Sequence, residues 1–298
     1  MKKNHSLLLL GLLLTTLTVR AQDDMLSLLG NDAPVREPVK NAFKSSRVIN
    51  GHSMEMIAGG VLDFRILHRF GRVNQGVKEL FGLDQASMRM GFDYGITDHL
   101  TAGVGRSTFK KELDGFLKFR LLQQSTGKGA FSFSIILLSG MTLDGSEWTQ
   151  PERNNYFTSR LAYYHQVILG RKFNDVFSLQ LTPTLLHRNL VPTTEAPSDL
   201  YALGVGTRVK LNKRIALTAD YSYNFNPGPS PAYRNPLSIG FDIETGGHVF
   251  QLHFSNTRGM NERAYLADTE GKWGKGDIMF GFNLSRVFTL DSRGRQGK

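Results

Sequence analysis

A strict two-residue alternation, returning about a dozen times, constrains this chain more than anything else in it. Gly276–Phe288 shows it most clearly. Ile278, Phe280, Phe282, Leu284 and Phe288 occupy even positions, broken once by Arg286, while Met279, Gly281, Asn283 and Ser285 occupy odd ones. Period two places the two sets on opposite faces of a β-strand. The same rhythm runs through 61–70, 87–96, 100–106, 113–122, 130–138, 157–168, 175–187, 201–210, 215–225, 237–244 and 248–255, so twelve strands are predicted. Almost every one carries a polar or charged face opposite an apolar one.

That pattern suits either a soluble sandwich with its apolar face inward or a membrane barrel with its apolar face in lipid. An open sheet cannot sit in hydrocarbon, because its edge amides have no water to bond; closure removes the edges. Strands of about ten residues rise roughly 33 Å along their axis, enough to cross an apolar band when tilted. Aromatic residues gather at the predicted strand ends, with Phe70, Tyr156, Phe157, Tyr221, Tyr223 and Phe225 at one end and Phe173 and Phe177 at the other. Such girdles mark membrane interfaces. Only 40% of residues are hydrophobic, which fits strands in which alternate side chains alone meet lipid. The expected fold class is therefore all-β, a single antiparallel transmembrane barrel of about 12 strands; a periplasmic or secreted sandwich is the alternative.

The expected organisation is a secretory signal over 1–21, a periplasmic lead-in or lumen plug over 22–57, the barrel over 58–288 and a periplasmic tail over 289–298. Lys2 and Lys3, an apolar run from Leu7 to Val19 and the small-residue site Val19-Arg20-Ala21 carry the signal reading. Long connections at 71–85, 142–156, 188–199, 226–236 and 256–275 alternate with short ones such as Asn212-Lys213-Arg214 and Gly246-Gly247. Short turns face the periplasm in bacterial barrels and long loops face outside. An even strand count puts both termini on the periplasmic side. Arg47–Met56, strand-like but short, would make the count odd, so it is placed below or inside the barrel. A short amphipathic helix is expected around Val77–Phe81.

Segments 47–53 (RVINGHS), 63–71 (DFRILHRFG), 88–107 (MRMGFDYGITDHLTAGVGRS) and 255–266 (SNTRGMNERAYL) resemble an uncharacterised family of outer-membrane β-barrel proteins of Bacteroidota-type bacteria, known by a domain-of-unknown-function label. The resemblance runs from about residue 40 to about 288. It implies a barrel and an outer-membrane location in a Gram-negative cell, and it brings no activity or catalytic residue.

The charged inner face carries the functional reading. Alternate positions point Arg65, Arg69, Arg89, Lys118, Arg120, Arg160, Arg208 and Lys210 into the lumen with Asp63, Asp93, Asp114, Asp220, Asp242 and Glu244. The signs nearly balance, whereas a wide anion pore wants a surplus of one sign. A salt-bridged interior that fills or narrows the lumen is one reading, and a narrow or gated, porin-like passage for small polar solutes is the other. Arg65, Arg89, Arg120, Arg160 and Arg208 are expected to pair across the lumen with Asp63, Asp93, Asp220, Asp242 and Glu244. A conducting barrel would then change selectivity when Arg120 or Arg160 is neutralised. His52 could line a plug. A closed structural or partner-binding barrel, displaying the 142–156 and 256–275 loops, is the competing function class.

Other chemistry is weaker. The formal charge is +10, but Lys and Arg are scattered singly along strands, unlike a nucleic-acid arm, so no nucleic acid is expected. Cysteine is absent, which removes thiol catalysis and Cys-based metal sites. No His pair has the helical spacing of a zinc site, and no metal or cofactor is expected. Asp144 and Glu147 could hold calcium in a loop, though a solvated loop explains them as well. Trp148 and Trp273 read as loop anchors or as ligand or partner contacts. An esterase reading from Ser159 and His165 fails because six residues along a strand separate them by roughly 20 Å, where a Ser–His bond needs about 3 Å. Gly103-Val104-Gly105 and Gly204-Val205-Gly206 are too lightly patterned for a phosphate loop. No catalytic residue is assigned. Lipid is the expected surrounding partner, and a protein partner stays unassigned.

Overall fold

The computed structural model describes residues 36–245 and 248–291. Twelve antiparallel strands close into one barrel. They are β1 (Val61–Arg72), β2 (Ala86–Thr97), β3 (Leu100–Ser107), β4 (Leu113–Leu122), β5 (Ser134–Leu143), β6 (Leu161–Lys172), β7 (Phe177–Arg188), β8 (Asp199–Lys210), β9 (Ile215–Asn224), β10 (Leu237–Glu244), β11 (His248–Ser255) and β12 (Met279–Thr289). Each strand pairs with its neighbours in sequence, and β12 closes on β1 with Phe288 opposite Leu62 and Leu284 opposite Ile66. The closed twelve-stranded barrel expected from the alternation is thus the observed fold.

The pleat sorts the side chains as period two requires. Phe92, Val104, Leu117 and Phe241 stand exposed on the outside, while Arg65, Arg89, Asp93 and Lys118 are buried inside. Exposed aromatics cluster at the rims: Tyr223 meets Phe225 edge-on at 5.2 Å, and Phe173 stacks on Phe177 at 5.5 Å. Inward glycines are set by packing. A Cβ at Gly105 would overlap the Arg89 guanidinium and one at Gly103 would overlap the Phe116 ring. That gives the GVG repeats a steric reason and no phosphate-binding one.

Local departures have local causes. Ser125–Thr126, in the connection before β5, pairs with Glu37–Pro38 as a two-residue ribbon at the barrel end where β1 begins. With Gly127 and Gly129 at positive φ, β5 starts at Ser134 rather than at Ala130. Phe157–Arg160 forms a 3-10 turn before β6. Residues Val77–Gly82 form kinked 3-10 turns in place of the expected amphipathic helix, with Leu80 and Phe81 at positive φ. Val77, Leu80 and Phe81 are exposed there and have no core to fold a helix against. The expected signal over 1–21, the start of the expected lead-in, Gly246-Gly247 and residues 292–298 lie outside the described residues.

Two segments fill the lumen. Residues 42–54 enter from the end where β1 begins and β12 finishes, and are nearly all buried. They turn back on themselves: Arg47 bridges His52, and Val48 N–H bonds the Gly51 carbonyl at 2.9 Å. From the other end, the 256–278 connection folds inward and carries α1 (Glu262–Ala267). Asn261 caps this helix by accepting from Ala264 N–H at 2.9 Å, the usual service of an N-cap amide. The loop predicted for surface display therefore lies largely inside the barrel. Glu262 through Leu266 are all buried, because Tyr265 and Leu266 pack with Phe116, Leu138, Tyr164, Leu186 and Leu200 of the inner wall.

Candidate functional site

Where the plug hairpin and α1 meet, a buried charged cluster forms. Arg47 Nη1 lies 3.4 Å from Glu262 Oε1, with both side chains fully buried. The same guanidinium donates to the Asn50 carbonyl at 2.9 Å, which braces the hairpin tip. His52 Nε2 stands 3.6 Å from the Glu262 carboxylate, and its ring packs edge-on to Phe116 at 4.4 Å. His52 is buried in the 42–54 segment.

The wall charges form pairs along the wall and bonds to the plug. Arg65 donates to Asp63 on its own strand at 2.5 Å, to Ser45 of the plug at 3.1 Å, and lies 3.4 Å from Asp93. Arg89 grips Asp114 through two bonds, one of 2.8 Å from Nε; paired planar groups make this a strong, directional contact. Lys118 donates to the Glu55 carbonyl at 2.5 Å. Arg69 donates to Asn50 Oδ1 at 2.6 Å and to Asn283 at 3.2 Å. Asp220 accepts the backbone N–H groups of Asn50 and Gly51 at 2.9 and 2.8 Å. Asp242 accepts from Gln251 at 2.8 Å, and Gln251 also donates to the Val48 carbonyl at 2.7 Å.

The expected pairing across the lumen is replaced by these arrangements, since the plug occupies the space between the walls. Arg208 is buried and makes no ion pair among the described residues. Arg120 sits low on β4 and donates to Gln123 at 2.9 Å. Glu244 meets Lys44 of the plug at 3.1 Å on the rim. Lys210 is half-buried at the end of β8. Arg160 departs most: it lies in the 3-10 turn, outside the strand assigned to it, and donates to the Asp144 and Ser146 carbonyls at 2.8 and 2.5 Å. The 3-10 turn over Phe157–Arg160 delays the strand start to Leu161, four residues later than the alternation suggests.

A second cluster lies at the loop end. Arg263 bonds Glu112 and Asp268, the latter at 2.6 Å, and Lys110 reaches Asp268 at 2.7 Å. Burial pushes the Glu112 carboxyl up despite Arg263 and Asn261 beside it. Burial also works against Asp268, but Arg263 and Lys110 outweigh it and hold that carboxyl below its ordinary value. Asp144 accepts from Ser146 N–H at 2.8 Å, and Glu147 is exposed.

Sequence reasoning missed Arg47, Glu262, Arg263 and Glu112. It also missed a Ser–His contact. Ser139 Oγ lies 3.0 Å from His165 Nδ1 across β5 and β6, on the outward face, whereas Ser159 sits in the turn below Tyr156. The partner on the neighbouring strand carries no sequence signal from His165. No carboxylate pairs with His165 among the described residues, so the orienting third group of a hydrolytic triad is lacking from this contact.

The barrel is similar in shape to the NanC porin, with a TM-score of 0.47 and 8% identity over 77% of this chain and 99% of that one. An outer membrane channel from Pseudomonas putida F1 gives 0.45 and 10% over 78% and 97%, and the KdgM porin gives 0.43 and 9% over 78% and 99%. No curated protein matches the sequence. Residues 43–288 match the family described as "Membrane bound beta barrel domain (DUF5777)". That stretch takes in the plug hairpin, all but the last residue of the barrel and the inward-folded α1, and the chain belongs to this family.

Proposed function

We propose that this barrel is a gated passage for small polar solutes across the outer membrane of a Bacteroidota-type cell, held shut by its own two inserted segments. The observation that carries the reading is the meeting of the plug and α1 at Arg47 and Glu262, inside a wall that is polar over much of its circumference. The plug is tied to that wall by hydrogen bonds, including Asp220 to Asn50 and Gly51, Gln251 to Val48, Asn283 to Ile49 and Gln180 to Met54. Each such bond is worth about 1 kcal/mol net, and water or a polar solute can replace it. A passage that opens by displacing the segment needs contacts of this sort. In this reading the chain is no enzyme, binds no nucleic acid, has lipid around it, and exposes only its rims to either compartment.

A closed structural barrel is the second reading, favoured by the fully buried Arg47–Glu262 pair, since separating a buried ion pair is costly. Planar-bilayer recordings distinguish them. The whole mature chain should be nearly silent, and a variant lacking residues 36–57 should carry steady current. Silence in both, with folding verified by heat-modifiable gel mobility, leaves the closed barrel. A steady porin-sized current from the unaltered chain overturns occlusion itself.

A further inference from the structure

At the loop end, two arginines have no carboxylate within ion-pair distance among the described residues. Arg188 ends β7 pointing inward and is 6% exposed. Its Nη2 donates to the Pro197 carbonyl at 2.7 Å, while its Nε has no hydrogen-bond partner. Arg160 donates only to the two carbonyls of Asp144 and Ser146, and its guanidinium lies 3.9 Å from the centre of the Trp148 ring. Neither forms an ion pair among the described residues, where Lys110 and Arg263 already share Asp268. All four cations line one cavity of about 230 Å³ between the 144–160 and 189–198 loops, beside α1. Arg188 also borders the wider mouth cavity of about 980 Å³.

A buried guanidinium carries five N–H donors, accepts nothing and cannot shed its proton. For Arg188 the nearest acid is Asp268, already shared by Lys110 and Arg263, and a largely buried cation served so weakly is expensive to keep. Its planar fork fits a carboxylate through two parallel bonds, and Trp148 holds the neighbouring Arg160 by a cation–π contact. Asp144 and Glu147 also border the cavity; Asp144 is engaged by Ser146 N–H and Glu147 is exposed.

From this geometry we propose that the cavity is a capture site for a small organic carboxylate, received by Arg188 and Arg160. The proposal deepens the passage reading by naming the class of solute met at the outer mouth. Capture there places the anion beside Arg263, on the segment that carries α1.

Isothermal titration calorimetry on the whole chain in detergent, at low ionic strength, tests it with succinate against uncharged succinamide and inorganic phosphate. Saturable succinate binding is expected, with none for succinamide and weaker binding of phosphate. Arg188→Gln and Arg160→Gln should each weaken succinate at least tenfold, and Lys172→Gln at the opposite rim should leave it unchanged. Equal binding of succinamide, tighter binding of phosphate, no saturable heat, or equal loss from Lys172→Gln would each overturn the site. If Arg188→Gln does not fold, Arg160→Gln decides alone, an unchanged affinity counting against the proposal. The measurement reads no current, so its failure leaves the passage reading to be judged by conductance.

Discussion

The inner wall has two arcs that hold the same plug by different physics. From β5 to β8 the buried apolar side chains are Ile136, Leu138, Ala162, Tyr164, Ile168, Leu186, Leu200 and Ala202, with polar Ser134, Thr142, Gln166, Ser178, Gln180, Thr182 and Thr184 between them. Charge enters this arc at its two ends, through Arg188 and Arg208. Phe43, Val48 and Met54 of the plug pack on Ile136 and Ile168, and Tyr265 and Leu266 of α1 pack higher up. The facing arc, β9 to β12 with β1 and β2, presents Asp220, Asp242, Gln251, Asn283, Asp63, Arg65, Arg69, Arg89 and Asp93. Hydrophobic burial is non-directional and tolerates sliding, whereas each bond from Asp220, Gln251 or Asn283 fixes one backbone group of the hairpin. One arc supplies adhesion and the other supplies register.

Breaking a buried pair of the charged type should have the largest effect. Arg89→Ala strands Asp114 with no counter-charge in a dry wall and should cost about 3–5 kcal/mol. Replacing both partners, as Arg89→Met with Asp114→Leu, should recover most of that loss. Thermal unfolding in micelles, read by heat-modifiable mobility, measures both. A single variant as stable as the parent would mean that water reaches this pair. On the adhesive arc, Leu186→Ala should cost roughly 3 kcal/mol through lost burial and a cavity under Leu266. Its signature differs. The wall ladder stays intact, so amide exchange should quicken in Glu262–Ala267 while β7 stays protected. Equal quickening in strand and helix would show that the two are one cooperative unit and that the arcs do not act separately.

How much of this the sequence discloses depends on the range over which each contact reaches. The strands are legible because Phe280, Phe282 and Leu284 repeat a local period that lipid enforces. Strand parity alone sends Arg47–Met56 into the barrel. The centre is harder. Glu262 meets Arg47 across 215 positions, and no local pattern encodes that separation. ERAYLA is too short to show helical periodicity, although Asn261 before it is a capping signal and Tyr265-Leu266 is an apolar spot in an otherwise polar loop. The inner apolar arc is masked by the same alternation that reveals the strands. In β7, Leu179, Leu181 and Leu185 face out while Leu186 faces in, so a leucine there reads as noise in the pattern. Arg188 has no motif at all; only its depth and missing partner single it out.

The mildest test asks whether the polar arc works through charge as such or through dryness. Lys44 and Glu244 form an ion pair of the same sign pattern as the deeper ones, at 3.1 Å, but their side chains are 26% and 37% exposed. Solvent screens such a pair, and holding two flexible side chains together costs entropy, so exposed pairs contribute about 0.2–1 kcal/mol. Lys44→Ala should therefore shift stability by under about 1 kcal/mol, and added salt should shrink even that. Unfolding curves at low and high salt would check both. A loss matching that of Arg89→Ala would mean that the plug is tethered at its rim, and that the bonds from Asp220, Gln251 and Asn283 only follow where the rim places it.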